Sequence, residues 1–183
     1  MNTDSINEGN AVFRAQGEYR EAPMRPRRSM LIVGCADPRV DPEKVLGLRL
    51  GDAAVIRNIG GRVTAPTRAT IAGLGQVGAR SAEGAAPDEQ PGEGATGLDV
   101  VVMHHTDCGI LRLNRDPIAL AGYLGTDDVQ LAAMHVTDPY ASVAYDVAEL
   151  RRLELPGVRV WGLVYDVGTG LVELEVSAEE VRS

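Results

Sequence analysis

The sequence predicts a single α/β domain with a mostly parallel central β-sheet flanked by helices. Three short runs, 30–35, 52–58 and 98–104, are apolar nearly throughout and contain β-branched residues, which is typical of strands buried on both faces. Segments with helix-start signals separate these runs. Strands that alternate with helices indicate a parallel sheet, and 183 residues are enough to bury the core of one such domain.

The beginning of the chain is predicted to be an N-terminal arm, residues 1–28, ahead of a domain that covers residues 29–183. The arm is polar, and two prolines make the segment APMRPRRS irregular. The sequence leaves open whether the arm is disordered or packs on a partner subunit.

Helices are predicted after each of the first two strands. Asp41 followed by Pro42 is an N-cap and first-position signal for a short helix, DPEKVLGL, after strand 30–35. Strand 52–58 ends in the glycine turn IGGR, and Pro66 opens a helix with the sequence PTRATIAGLGQVGAR.

The second half of the chain is predicted to contain a loop, a long helix and a closing hairpin. The segment 81–97 is rich in Gly, Pro and acidic residues, which is typical of a solvated surface loop. Strand 98–104 is followed by a break at HTDCG, and the pair Asp138-Pro139 predicts a helix that runs to about Leu153. Two strands, VRVWGLVYD and LVELEV, flank the turn DVGTG and are expected to pair as a hairpin.

Charge and composition argue against two classes of function. The net charge of −8 disfavours a general nucleic-acid binder, because phosphate binding needs a basic face. No apolar run reaches the roughly 18–20 residues of a membrane span, and the polar start MNTDSINEGN is not typical of a signal peptide. We therefore expect a cytoplasmic protein with no nucleic-acid or membrane partner, whose two cysteines are reduced.

Both cysteines follow predicted strands whose carboxyl ends share one edge of the sheet. Cys35 ends the first strand, and His105 and Cys108 follow the third. A loop with two residues between His105 and Cys108 can supply two metal ligands, and Cys35 would be a third. Two cysteines and one histidine are the ligand set of a catalytic zinc site with an open position. Two reduced core cysteines are the alternative.

We interpret three further features of the sequence as structural rather than functional. GLGQVG matches a dinucleotide-binding fingerprint but lies inside a predicted helix, so we expect its glycines to serve helix packing. His104 is expected to point away from the ligands as a hydrogen-bonded structural residue. Asp107 is expected to accept hydrogen bonds from the backbone of its own loop.

The two cysteine segments resemble the signature of the β-class carbonic anhydrases. Cys35-x-Asp37-x-Arg39 is followed about 70 residues later by His105-x-x-Cys108. GDAAVIRNIGG and HHTDCGI are similar to two further family segments, and GLVYDVGTGLVELEV is similar to the closing hairpin of a short bacterial branch. The resemblance extends over residues 30–176, apart from the 81–97 loop.

This resemblance implies a zinc enzyme that reversibly hydrates carbon dioxide to bicarbonate and a proton. Zinc-activated hydroxide would attack the substrate, oriented by a dyad of Asp37 and Arg39. The resemblance also implies a homodimer or higher homo-oligomer in which the N-terminal arm packs across the neighbour. The implied zinc ligands are Cys35, His105 and Cys108, and the implied substrate-binding residues are Gly109, Asn58, Gly60 and Gly61.

Two other functions fit the same residues. One is hydrolysis of carbonyl sulfide or carbon disulfide on the same scaffold, since these linear molecules suit the same nucleophile. The other is a non-catalytic zinc-binding homologue in which Asp37 permanently closes the fourth position on the metal.

Overall fold

A computed structural model describes residues 2–82 and 97–180, and a five-stranded β-sheet forms its centre. The strand order is β2-β1-β3-β4-β5, with the first four strands parallel and β5 antiparallel to β4. The mostly parallel sheet and the closing hairpin are therefore confirmed. The strands are β1 (Met30–Cys35), β2 (Ala53–Asn58), β3 (Leu98–His105), β4 (Val158–Tyr165) and β5 (Val172–Glu180).

The described helices include the three that the sequence predicts. The carboxylates of Asp41 and Asp138 accept backbone N–H groups at the starts of α2 and α7, as expected of N-caps. Helix α3 extends through Ala82, and residues 83–96 of the predicted loop lie outside the described residues. The helices are α1 (Thr3–Gln16), α2 (Pro42–Val45), α3 (Ala65–Ala82), α4 (Ile110–Leu113), α5 (Pro117–Leu124), α6 (Asp128–Ala133) and α7 (Pro139–Arg151).

Apolar side chains cover both faces of the sheet, which explains the unbroken apolar runs of the central strands. Side chains alternate along a strand, so Leu31 and Val33 face one side and Ile32 faces the other. On the first face, Val143 and Val147 of α7 are buried against the strands. None of the described helices has the length and apolar character needed to cross a membrane.

The glycines of GLGQVG lie within α3, so this segment does not form a phosphate-binding loop between a strand and a helix. A Cβ atom added at Gly73, Gly75 or Gly78 would meet no described atom within 4 Å beyond the adjacent residues and the nearby backbone of α3. The prediction that these glycines serve close helix packing is therefore wrong for contacts within the described part of this chain.

Helix α1 was not predicted from the polar sequence of the arm. The side chain of Asn2 accepts the N–H of Ser5 at its start, and Gly17 ends it with a left-handed backbone, φ +78°. None of the α1 residues is buried, and Phe13 is 41% exposed.

Candidate metal centre

The cysteine and histidine side chains converge at the carboxyl edge of the sheet. Cys35 ends β1 and His105 ends β3, which is the parallel neighbour of β1. Asp107 has a left-handed backbone, φ +52°, at the tight turn between His105 and Cys108. The candidate donor atoms of Cys35, His105 and Cys108 lie within 4.8 Å of one another, so their predicted convergence is confirmed.

The geometry and chemistry of this cluster fit a zinc ion. The two Sγ atoms are 3.8 Å apart. Two thiolates at Zn–S distances near 2.3 Å and a tetrahedral angle would also be about 3.8 Å apart. His105 Nδ1 lies 2.9 Å from the carbonyl oxygen of Thr106. In the tautomer with its proton on Nδ1, this nitrogen donates to that carbonyl, and the lone pair on Nε2 can then bind a metal ion. Nε2 is buried without a hydrogen-bond partner among the described residues.

The two thiols compete for one proton. The hydrogen bond with Cys108 is the main reason that the pKa of Cys35 falls to about 4, and burial opposes the shift. The same hydrogen bond and burial raise the pKa of Cys108 well above its usual range. A dication between the sulfurs would stabilise both thiolates, because it replaces the shared proton as their positive partner.

Backbone N–H groups also hold the Cys35 sulfur in place. The N–H of Asp37 lies 3.4 Å from Cys35 Sγ, and the N–H of Gly60 lies 3.3 Å from it. Gly60 has a left-handed backbone, φ +81°, and a Cβ atom there would lie 2.7 Å from Cδ1 of Ile110. The glycine therefore allows the left-handed turn after β2 to lie against Ile110 with its N–H directed at the sulfur.

The Asp37 carboxylate forms a forked ion pair with Arg39. Asp37 Oδ1 accepts from Arg39 Nε at 3.0 Å, and Oδ2 accepts from Nη2 at 2.8 Å. The Arg39 guanidinium is the main reason that the pKa of Asp37 lies well below its usual range. The carboxylate is close enough to His105 and Cys108 to interact electrostatically with both.

Asp107 is a third member of this ion-pair network. Its carboxylate accepts from Arg39 Nη1 at 2.7 Å, and its carbonyl accepts from Nη2 at 2.9 Å. No described hydrogen bond joins this carboxylate to the backbone of its own loop, so the prediction of such a bond was wrong. The sequence suggests no such pairing, because 68 residues separate Asp107 from Arg39.

The four residues expected to bind substrate surround the cluster. The Asn58 amide donates to the Arg62 carbonyl and to Thr67 Oγ1, and its oxygen accepts from the Arg62 N–H, so it fixes the turn. A Cβ atom on Gly61 would lie 2.9–3.1 Å from backbone atoms of the neighbouring strands, which explains a glycine here. Gly109 directly follows Cys108 and precedes α4. Their substrate contacts stay a prediction.

A cavity of about 330 Å³ lies beside the candidate metal ligands. His105, Cys108 and Gly60 line it, together with residues from the start of α7. Part of its lining is apolar, including Ile110, which suits a small uncharged molecule.

A fully buried polar network includes His104 of β3, the strand that also carries His105. His104 Nε2 lies 3.3 Å from Asp146 Oδ2, so His104 points away from the ligand cluster, as predicted, but this nitrogen makes no hydrogen bond to a described residue. Arg62 donates to both carboxylate oxygens of Asp146, at 2.8 and 3.1 Å, and to Ser142 Oγ at 2.7 Å. Sequence reasoning missed this network, because no local pattern links Arg62 with Asp146, 84 residues away.

Proteins similar to this chain include carbonic anhydrases and a carbon disulfide hydrolase. The family model described as carbonic anhydrase matches residues 30–82. The β-carbonic anhydrase 1 of Mycobacterium tuberculosis is 31% identical over 169 residues, which is 88% of this chain and 90% of that protein. The crystal structure of carbonic anhydrase from Streptococcus mutans is 28% identical, with a TM-score of 0.63, and the match covers 94% of this chain and 96% of that one.

A second relative is a carbon disulfide hydrolase of Saccharolobus solfataricus. It is 31% identical over 93 residues, which is 50% of this chain and 37% of that protein. The match to the mycobacterial protein is longer and nearly spans both chains. Together with the metal cluster and the sheet, it shows that the chain belongs to the β-carbonic anhydrase family.

Proposed function

We propose that this protein is a zinc enzyme that reversibly hydrates carbon dioxide to bicarbonate and a proton. The proposal depends on one observation, the convergence of Cys35, His105 and Cys108 beside the Asp37–Arg39 ion pair. Family membership supports it, since the mycobacterial relative is named a carbonic anhydrase.

The ligand set determines how the site would work. Bound zinc would lower the pKa of a coordinated water toward neutrality and so make hydroxide available as a nucleophile. Cys35 and Cys108 would bind as thiolates and His105 through Nε2. Two thiolates cancel the formal charge of the ion, so neighbouring polar groups should contribute more to reactivity than they would beside three neutral ligands.

Asp37 would orient the nucleophile. Its carboxylate stays ionised beside Arg39 and would accept a hydrogen bond from the nucleophilic hydroxyl, which aims an oxygen lone pair at the carbon of carbon dioxide. The paired position of Asp37 also supports an open metal site, because its carboxylate is outside the described ligand cluster. We propose that the Gly109 N–H and the turn containing Gly60 and Gly61 hold the substrate, with Asn58 fixing that turn.

The proposal is tested by stopped-flow carbon dioxide hydration across pH, with bound zinc counted in the same samples. Turnover that scales with one zinc per chain supports it. One zinc per chain without turnover at any pH would instead support a non-catalytic zinc protein with a closed site.

Carbonyl sulfide or carbon disulfide hydrolysis is the second candidate, because one relative is named a carbon disulfide hydrolase. Sulfide release from these substrates is measured on the same preparation. Fast sulfide release with negligible carbon dioxide hydration would replace the first proposal with the second.

Removal of the Asp37 carboxylate distinguishes the role of the proposed dyad in catalysis from the role of the metal ligands in zinc binding. We expect Asp37→Ala to keep one zinc per chain but to lower kcat about 10–100-fold, the usual effect of losing a group that supports a metal site. Stopped-flow hydration and metal analysis measure the two quantities. Asp41→Ala, which removes a helix-capping carboxylate nearby, is the control and should keep kcat. Wild-type turnover in Asp37→Ala would show that the dyad is assigned wrongly.

We also propose that the protein is a homodimer or a higher homo-oligomer, with the N-terminal arm packed on a neighbouring subunit. Helix α1 buries no residue within its own chain and exposes Ile6, Val12 and Phe13. Sedimentation equilibrium should give at least twice the chain mass for the full-length protein and a lower mass after deletion of residues 1–28. An unchanged mass after the deletion would contradict the role of the arm.

A cytoplasmic location is proposed because the zinc ligands must stay reduced. Cys35 and Cys108 are free thiols 3.8 Å apart between their sulfurs, and the cytoplasm keeps thiols in that state. Fractionation of the source cells tests this location, and recovery outside the cytoplasm would contradict it.

A further inference from the structure

The peptide between Ile59 and Gly60 is hydrogen-bonded on both sides at the edge of the metal centre. Its N–H donates to Cys35 Sγ at 3.3 Å, and its carbonyl oxygen accepts from the Tyr123 hydroxyl at 2.9 Å. Tyr123 is on α5, far from both residues in the sequence. One peptide unit therefore connects a tyrosine hydroxyl to a metal-ligand sulfur.

The orientation of this peptide needs external support. Gly60 and Gly61 both have left-handed backbones, φ +81° and +66°, and glycine rotates about its backbone bonds more freely than other residues. The Asn58 amide fixes the two ends of the turn through Arg62, and none of its three described bonds reaches the Ile59–Gly60 peptide. Rotation of that peptide would turn its N–H away from the sulfur.

Apolar packing anchors Tyr123, whose hydroxyl bonds the peptide. Tyr123, like Leu113 and Cys108, packs against a buried apolar cluster that includes Ile110 of α4 and Leu120 of α5. Ile59 is 44% exposed, so apolar packing does little to fix its carbonyl. The hydroxyl of an anchored ring is thus the contact that fixes the carbonyl side of the peptide.

We propose that Tyr123 is a positioning residue that holds the Gly60 N–H against Cys35 Sγ and thereby adjusts electron donation from this thiolate to zinc. The inference depends on the proposed zinc function. Hydrogen bonds in a chain polarise one another, so the hydroxyl makes the Gly60 N–H a stronger donor. A stronger N–H···S bond withdraws electron density from the sulfur, and such partners of metal ligands adjust the reactivity of the metal.

The test is Tyr123→Phe, which removes the hydroxyl and keeps the ring. In cobalt-substituted protein, the sulfur-to-cobalt charge-transfer band should move to longer wavelength, because the less hydrogen-bonded thiolate donates electrons more readily. In zinc protein, kcat should fall about three- to tenfold at unchanged zinc content, below the usual 10–100-fold effect of a direct partner of a ligand. Tyr145→Phe is the control, since Tyr145 packs on the same apolar cluster, and it should leave the band in place.

The cobalt band keeps this inference separate from the proposed function, because it is measured without turnover. If wild-type protein binds cobalt through sulfur but hydrates no carbon dioxide, the band still tests the role of Tyr123. An unchanged band in folded Tyr123→Phe would overturn the inference. If that variant does not fold, site-specific 3-fluorotyrosine at position 123 replaces it. Its more acidic hydroxyl is a stronger donor and should move the band to shorter wavelength, and an unchanged band there would also overturn the inference.

Discussion

Cys108→Ser is expected to lose zinc and all measurable carbon dioxide hydration. A serine hydroxyl stays protonated near neutral pH and cannot replace the thiolate that Cys108 would supply. Since loss of a group that only supports a ligand weakens a metal site about 10–100-fold, we expect loss of a ligand to weaken zinc binding at least about 100-fold. Competition with a chromophoric chelator measures the affinity, and stopped-flow hydration measures the activity.

A pair of histidine variants provides the matched comparison for this loss. His105→Gln should behave like Cys108→Ser, because it removes the third ligand. His135 is exposed and outside the described ligand cluster, so His135→Asn should keep both zinc and turnover. Asparagine suits this position because His135 has a left-handed backbone, φ +47°. Wild-type zinc affinity in Cys108→Ser would mean that the metal binds elsewhere.

The sheet and the convergence of Cys35, His105 and Cys108 were predictable because their signals are local and strong. Strands buried on both faces read as unbroken apolar runs, and parallel strands bring their carboxyl ends to one edge. The convergence of Cys35 and His105 could therefore be predicted without knowledge of the loop geometry. The N-cap pairs at Asp41 and Asp138 likewise predicted the starts of α2 and α7.

The groups that support the ligands were not predictable in the same way. Helix α5 begins with Asp116-Pro117, the signal that revealed α2 and α7, so this helix could have been found. The bond from Tyr123 to the Ile59 carbonyl could not, because it joins residues 64 apart. Helix α1 buries no residue in its own chain, and the polar composition of the arm does not by itself predict a helix.

Asp146→Asn is expected to destabilise the folded protein by about 3–5 kcal/mol, the usual range when one partner of a buried ion pair is lost. The Arg62 side chain is 1% exposed and would keep its charge without a carboxylate partner. The new amide would also present N–H groups toward Arg62, His104 or the Val63 N–H, all of which contact the present carboxylate. Urea unfolding of reduced protein at pH 7 measures the change.

A surface ion pair on the same helix is the control. Glu149 of α7 pairs with Arg152, whose side chain is 71% exposed. Because exposed ion pairs contribute at most about 1 kcal/mol, Glu149→Gln should change the free energy of unfolding by less than that. Equal effects of the two substitutions would contradict a special contribution from the buried pair.

The pH dependence of the free energy of unfolding is a second, independent test of the contribution of Asp146. Burial alone would raise the pKa of Asp146, but the contact with His104 and the charge of Arg62 outweigh it and hold the pKa below its ordinary value. A carboxyl group with a lowered folded-state pKa stabilises the protein above its unfolded-state pKa of about 3.9. That contribution is lost as the pH falls through the folded-state pKa, when Asp146 takes up a proton. The stability difference between wild type and Asp146→Asn should therefore be constant from pH 7 to 5 and shrink below about pH 4. A difference that stays constant through acid unfolding would mean that the charge of Asp146 does not stabilise the fold.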